Sequence, residues 1–146
     1  LLDEEARCAA VLATRYAFAG DLEEATAMAH HLLALGQRPV SAWAAVEGWQ
    51  TLAVVHQTRG DLAAALDARR SAVQAARGAG LKTREATLTI NVGFALTTVG
   101  AEAEARAAIE AGIHLAQAIG SPGTERHGKM ILLCWAATFG SDASFE

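Results

Sequence analysis

The segment Phe18-Ala-Gly-Asp-Leu-Glu-Glu-Ala25 decides the fold, because close copies of it recur along the chain. The copies are Thr58-Arg-Gly-Asp-Leu-Ala-Ala-Ala65 and Val99-Gly-Ala-Glu-Ala-Glu-Ala105. Their glycines belong to a series spaced 40 residues apart, which comprises Gly20, Gly60, Gly100 and Gly140. A second series of the same period comprises Gly80 and Gly120, with Gly36 as its shifted counterpart. Such a period predicts a stack of repeated helical units.

The residues in each copy are those that end one helix and begin the next. Glycine adopts the left-handed turn that satisfies the last carbonyl groups of a helix. Asp21 and Asp61 follow at the position where a side chain caps the next helix. Glu24 stands three residues after Asp21, which is the spacing of a capping box. Further caps are expected at Asp3, Ser41, Thr83 and Ser121.

Apolar residues recur at helical spacing between these caps, and we predict seven helices. Their approximate bounds are 3–19, 22–35, 40–59, 62–78, 83–99, 102–118 and 122–139. The connections are short, so neighbouring helices are expected to pack antiparallel. The expected fold is all-α, an α-α superhelix (solenoid) of three and a half repeats in a single domain, 1–146. The predicted repeats span about 1–39, 40–80, 81–120 and an incomplete 121–146.

Composition narrows the classes of partner. Of the 146 residues 52% are hydrophobic, an excess that is mostly due to alanine, and the net charge is −4. Nucleic-acid binding is therefore not expected, because it relies on basic residues that neutralise phosphates. The longest apolar run, Met130–Phe139, has half of the roughly 20 residues that a membrane span needs, so no membrane association is expected. The chain begins at Leu1, and we expect a fragment of a larger protein.

The pattern resembles the tetratricopeptide repeat family over nearly the whole chain. The first helix of that repeat carries a bulky residue, a leucine followed by a small residue, an aromatic residue and a glycine. The second repeat matches as Trp49, Leu52-Ala53 and Gly60, with His56 in the aromatic position. The first repeat matches as Leu12-Ala13, Tyr16 and Gly20, and the third as Val92-Gly93 and Gly100. The length of 40 residues is similar to the long repeats of multidomain bacterial regulators.

The resemblance implies that the first helices of successive repeats line a concave surface that binds a protein or peptide partner. In the first two repeats the implied binding residues are Arg7, Thr14, Phe18, Glu47, Gln50, Thr51, Val54 and Gln57. In the third and fourth they are Thr87, Asn91, Phe94, Thr98, His127 and Met130, with Ile90 and Thr97 beside them. Hydroxyl, amide and apolar groups in this mixture suit an extended or helical segment with apolar anchors.

Two other functions remain open beside a regulatory protein-interaction scaffold. The repeats could instead sense a small effector molecule. They could also self-associate, because an incomplete fourth repeat leaves the apolar run Met130–Phe139 without a partner helix. A homodimer through this terminal helix is therefore one expected arrangement.

No catalytic residue, metal ligand or cofactor site is expected, so the chain is not predicted to be an enzyme. His30 and His31 diverge by about 100 degrees around a helix and cannot easily bind one metal. His56 is expected in the core. Cys8 and Cys134 are expected to be unpaired and buried or in the groove, in a reducing, cytoplasmic compartment. Packing roles are expected for Trp43, Trp49 and Trp135.

Overall fold

Seven α-helices make up almost all of residues 2–140, the part of the chain that the computed structural model describes, without the side chains of Leu2 and Asp3. They are α1 (Leu2–Ala19), α2 (Leu22–Leu35), α3 (Ala42–Thr58), α4 (Leu62–Gly78), α5 (Lys82–Thr98), α6 (Glu102–Ala118) and α7 (Pro122–Phe139). A 3-10 turn, Pro39–Ser41, precedes α3. The predicted bounds are confirmed to within two residues. The side chain of Asp3, a predicted cap, and the end of the fourth repeat, 141–146, lie outside the described part of the chain.

Left-handed glycines end five of the helices, as the repeat predicts. The glycines with positive φ, between 65° and 84°, are Gly20, Gly60, Gly80, Gly100 and Gly120. Gly140 and Gly36 depart from the pattern, with φ of −85° and −65°. The role of Gly36 is close packing, since a Cβ atom there would lie 2.6 Å from the backbone nitrogen of Ala45.

Only one of the predicted side-chain caps that the structure describes forms its bond. The Asp61 carboxylate accepts a hydrogen bond from the Ala64 amide at 3.0 Å. Asp21 makes no side-chain cap bond, so its predicted capping box is wrong. Ser41 and Ser121 stand before their helices without capping them, and Thr83 lies inside α5, which begins at Lys82. Asp21 is exposed, and water can satisfy the amides of a helix end at such a position.

The chain divides into two compact units, an N-terminal unit (Leu1–Leu81) and a C-terminal unit (Lys82–Glu146). In the N-terminal unit each helix packs on the next, and α1 also contacts α3. In the C-terminal unit α5 packs on α6 and α6 on α7, and α5 also contacts α7. Each unit therefore contains contacts both between consecutive helices and between helices two apart.

Small residues form much of the core of the N-terminal unit. One cluster of buried residues contains Ala6, Ala9, Ala13, Leu32, Leu35 and Ala44, with Trp43 packed against it. A second contains Ala29, Leu52, Ala53 and Ala68, with Trp49 packed against it. A Cβ atom at Gly48 would lie 2.8 Å from the carbonyl oxygen of Ala29, so the backbones of α2 and α3 nearly touch there.

Isoleucines form the core of the C-terminal unit, which contains Ile90, Ile109, Ile113 and Ile131. Three of them pack against glycines on facing helices, Ile109 against Gly93, Ile90 against Gly112 and Ile113 against Gly128. Trp135 fastens α7 to α6, because its Nε1 donates a hydrogen bond of 3.0 Å to the Glu102 carbonyl. The Arg106 guanidinium lies over the same indole ring at 5.3 Å, a cation–π contact.

One predicted core position differs from the structure, because His56 is only half-buried. Cys8 and Cys134 are both unpaired but exposed. A repeat pattern fixes which residues share a helix face, whereas the rotation of that face depends on the neighbouring helices.

Replacing Gly93 by alanine is expected to lower the free energy of unfolding by about 1–3 kcal/mol, the usual cost of overpacking. The new Cβ atom would lie 2.5 Å from Ile109 Cγ1 and 2.9 Å from the Ala105 carbonyl oxygen. Gly123→Ala in α7 is the matched control, because nothing lies within 4 Å of its Cβ position. Urea unfolding followed by circular dichroism measures the free energy of unfolding of both variants. Equal stability of the two variants would contradict the close α5–α6 contact.

Candidate functional site

Most of the predicted binding residues of the N-terminal unit meet at one depression between α1 and α3. Its volume is about 160 Å³, and its lining residues are Thr14, Ala17, Phe18, Glu47, Gln50, Thr51 and Val54. Six of these seven residues are predicted binding residues, and Ala17 is the addition. We call this depression the α1–α3 pocket.

Helical geometry explains why these side chains converge. On α1 the lining residues Thr14, Ala17 and Phe18 are three and four residues apart, and on α3 the set from Glu47 to Val54 has the same spacing. Residues at these intervals occupy one face of a helix. Because α1 contacts α3 directly, the two faces border the same depression.

Apolar side chains form the outer part of the pocket. Phe18 is 87% exposed and Val54 is 39% exposed, although both are large and apolar. Thr51 is buried, at 7% exposure. Large exposed apolar side chains grouped in this way are typical of interaction sites.

The threonine hydroxyl groups of the pocket donate their hydrogen bonds within the protein. Thr14 Oγ1 donates to the Ala10 carbonyl at 2.9 Å, and Thr51 Oγ1 donates to the Glu47 carbonyl at 2.9 Å. Each hydroxyl therefore presents only its acceptor lone pairs to a ligand. Glu47 is the only charged residue of the lining.

Two predicted binding residues of the N-terminal unit are not part of the pocket lining. Arg7 is exposed on α1, about 10 Å along the helix axis from Thr14. Gln57 holds α3 to α4, because its Oε1 accepts a hydrogen bond from Arg69. Burial lowers the pKa of this arginine, and the Gln57 oxygen supplies a partner for its guanidinium.

The predicted residues of the C-terminal unit lie on α5 and α7. Asn91 Oδ1 lies 3.2 Å from His127 Nε2, which joins the two helices by a hydrogen bond. Beside this pair Phe94 is 44% exposed and Met130 is 55% exposed. The hydroxyls of Thr87 and Thr98 donate to backbone carbonyls of their own helix.

Ile90 and Thr97 are corrections to the predicted surface. Ile90 is fully buried and Thr97 is 6% exposed. The side chain of Ile90 packs against Gly112 of α6. Both residues therefore belong to the interior of the unit rather than to its exposed surface.

An exposed apolar stripe runs along α7. It consists of Met130, Leu133, Cys134 and Ala137, which follow the spacing of one helix face and are all exposed. Leu133 is 69% exposed. These residues belong to the apolar run Met130–Phe139, on the helix that packs against α5 and α6.

Histidines and acidic residues are dispersed in the described part of the chain. Residues 2–140 contain no group of three His, Cys, Asp or Glu side chains in a metal-binding arrangement. His30 and His31 are both exposed, and His31 Nε2 lies 3.1 Å from Glu5 Oε1. Within the same residues, every helix is too short or too polar to cross a membrane.

Comparison with known protein families, curated proteins and solved structures finds no match to this chain. The tetratricopeptide resemblance and the binding residues that it implies thus stay predictions, which the pocket geometry makes specific enough to test.

Val54 and Val55 are expected to respond differently to substitution by alanine. Val54 borders the pocket, whereas Val55 is fully buried. Val55→Ala should lower the free energy of unfolding by roughly 1.5–3 kcal/mol through lost burial and a cavity. Val54→Ala should change it by less than about 0.5 kcal/mol. Urea unfolding measures the free energy of unfolding of both variants. A large loss of stability in Val54→Ala would show that the Val54 side chain supports the fold.

Proposed function

We propose that this chain is a tetratricopeptide-like repeat module, an α-α superhelix in a cytoplasmic regulatory protein, that binds a protein or peptide segment. The packing of α1 on α3 and of α5 on α7 supports this architecture, because stacked helix pairs need contacts between helices two apart. The α1–α3 pocket is the anchoring site. The observation that carries this proposal is the convergence there of six predicted residues, among them the strongly exposed Phe18.

The size of the pocket favours a partner side chain over a small effector. Sites for drug-sized ligands usually measure about 300–1,000 Å³, whereas this pocket measures about 160 Å³. A volume of about 150 Å³ accommodates a benzene-sized group. One side chain of a docked segment therefore fills the site, and the rest of the segment lies on the surrounding helix faces.

Selection of peptides from a random display library against the folded chain tests this function. The double variant Phe18→Ser, Val54→Ser is expected to lose about tenfold or more in affinity for the selected peptides, as for anchor residues generally. The matched control is Leu62→Ser, which removes a 49% exposed apolar side chain outside the pocket lining. Fluorescence anisotropy measures the affinities. Equal binding by the double variant and the control would overturn the assignment of the pocket.

Self-association is a second candidate function, and the α7 stripe favours it. Met130 and Leu133 are 55% and 69% exposed, and a symmetric dimer would bury the same stripe from both copies. Leu133→Gln should then shift the protein from dimer to monomer. The control variant is Val99→Gln, which changes a 45% exposed residue outside this stripe. It should leave the mass unchanged. Light scattering over a range of concentrations measures the mass, and a wild-type monomer throughout would exclude the dimer.

A further inference from the structure

One face of α5 is the surface on which the second helix of its repeat docks. It consists of four buried residues, Ala86, Ile90, Gly93 and Thr97. Their spacing of three and four places them on one side of the helix. Gly93 lies against Ile109 of α6, and Ile90 lies against Gly112 of α6. The burial of this face is therefore due to the docked α6.

The residues 40 positions further along the chain form the corresponding face of α7. They are Arg126, Met130, Leu133 and Ala137, and all four are exposed. This face extends over about three helical turns, and we call it the open face of α7. The contacts of α7 with α5 and α6 use other residues, among them His127, Gly128 and Trp135.

The same face is covered by a helix in the N-terminal unit. At the position of Leu133 the first two repeats carry Ala13 and Ala53, which are 0% and 2% exposed. Ala13 belongs to a cluster with Leu32 of α2, and Ala53 belongs to a cluster with Ala68 of α4. Each of the first three repeats thus covers this face with an α-helix, and an α-helix is the form of occupant that it fits.

Leu133 determines the size of the residue that a docked helix must present. The first three repeats have alanine or glycine at this position, and Gly93 makes room for the branched side chain of Ile109. A copy of α6 on the open face would bring Ile109 and Leu133 into the same space, and such overpacking is destabilising. The docked helix must therefore carry alanine or glycine opposite Leu133.

Arg126 determines the charge of the docked helix. The equivalent residues Ala6, Val46 and Ala86 are apolar and buried. Arg126 is exposed and forms no ion pair within the part of the chain that the structure describes. An acidic residue on the docked helix would form a charge-assisted pair with it. A second copy of α7 does not supply one, because the exposed residues of this helix include Lys129 but no aspartate or glutamate.

We propose that the open face of α7 docks one α-helix of a partner protein, antiparallel to α7, with alanine or glycine at Leu133 and an acidic residue at Arg126. The antiparallel direction is that of α6 on α5, where Gly93 meets Ile109 and Ile90 meets Gly112. This inference is independent of the α1–α3 pocket, and its occupant of the α7 stripe differs from that in the homodimer.

The test uses peptides with the sequence of α6, Glu102–Ala118, each held helical by a lactam bridge on its outer side. The designed peptide carries I109A and A116E, which place a small residue opposite Leu133 and an acidic residue opposite Arg126. The control peptide carries A116E alone. Each is titrated into the full chain, and backbone NMR resonances of the open face report binding. The designed peptide is expected to bind about tenfold more tightly than the control peptide.

Two substitutions in the protein test the two contacts separately. Leu133→Gly should remove the preference for a small residue, so that the control peptide binds at least as tightly as the designed peptide. Arg126→Glu should weaken the designed peptide about threefold to fivefold, as expected for an exposed ion pair. A peptide with I109A and A116K should recover that loss. The pocket variant Phe18→Ser, Val54→Ser should leave these affinities unchanged, and retained NMR dispersion shows that each variant is folded.

Any one of four results would overturn the inference. Equal affinities of the designed and control peptides would show that Leu133 does not select a small residue. An unchanged affinity in Arg126→Glu would remove the acidic residue from the partner helix. Absence of shifts on α7 at millimolar peptide, with the helicity of the peptide confirmed by circular dichroism, would exclude the docking site. A wild-type dimer that the designed peptide does not dissociate would assign the open face to a second copy. The peptide selection tests the pocket separately from all four.

Discussion

The close approach of helix backbones is the constraint on which the rest of the structure depends. Gly93 and Gly112 each receive an isoleucine from the facing helix, and Gly48 nearly touches the Ala29 carbonyl. Such contacts are possible only where a side chain is absent or is a single methyl group. Alanine is the most frequent residue of the buried core, beside leucine, valine and isoleucine, whereas several large apolar residues such as Phe18 and Leu133 are exposed.

Local features of the sequence were sufficient to predict the helices and to group most of the residues that line the α1–α3 pocket. Left-handed glycines such as Gly60 recur along the chain at a fixed spacing. The positions of the helix ends follow directly from this spacing. The pocket lining was predictable because α1 and α3 occupy equivalent places in successive repeats. Positions such as Phe18 and Val54 then fall on corresponding helix faces.

Features that depend on pairs of distant residues were not predictable. The hydrogen bond between Asn91 and His127 joins residues 36 positions apart, and no spacing rule connects them. Ile90 was placed beside the predicted binding residues although it is fully buried, because a pattern of apolar residues leaves the final rotation of a helix to its packing partners. For the exposed α7 stripe, the sequence predicted only the apolar run around Leu133.

The distribution of tryptophan gives each compact unit its own optical signal. Trp43 and Trp49 lie in the N-terminal unit, and Trp135 is the single tryptophan of the C-terminal unit. The Trp135 indole is held by the Glu102 carbonyl and covered by Arg106, so its emission depends on whether α7 is docked on α6. Fluorescence of a chain that keeps only this indole would therefore report the detachment of the last helix without any added label.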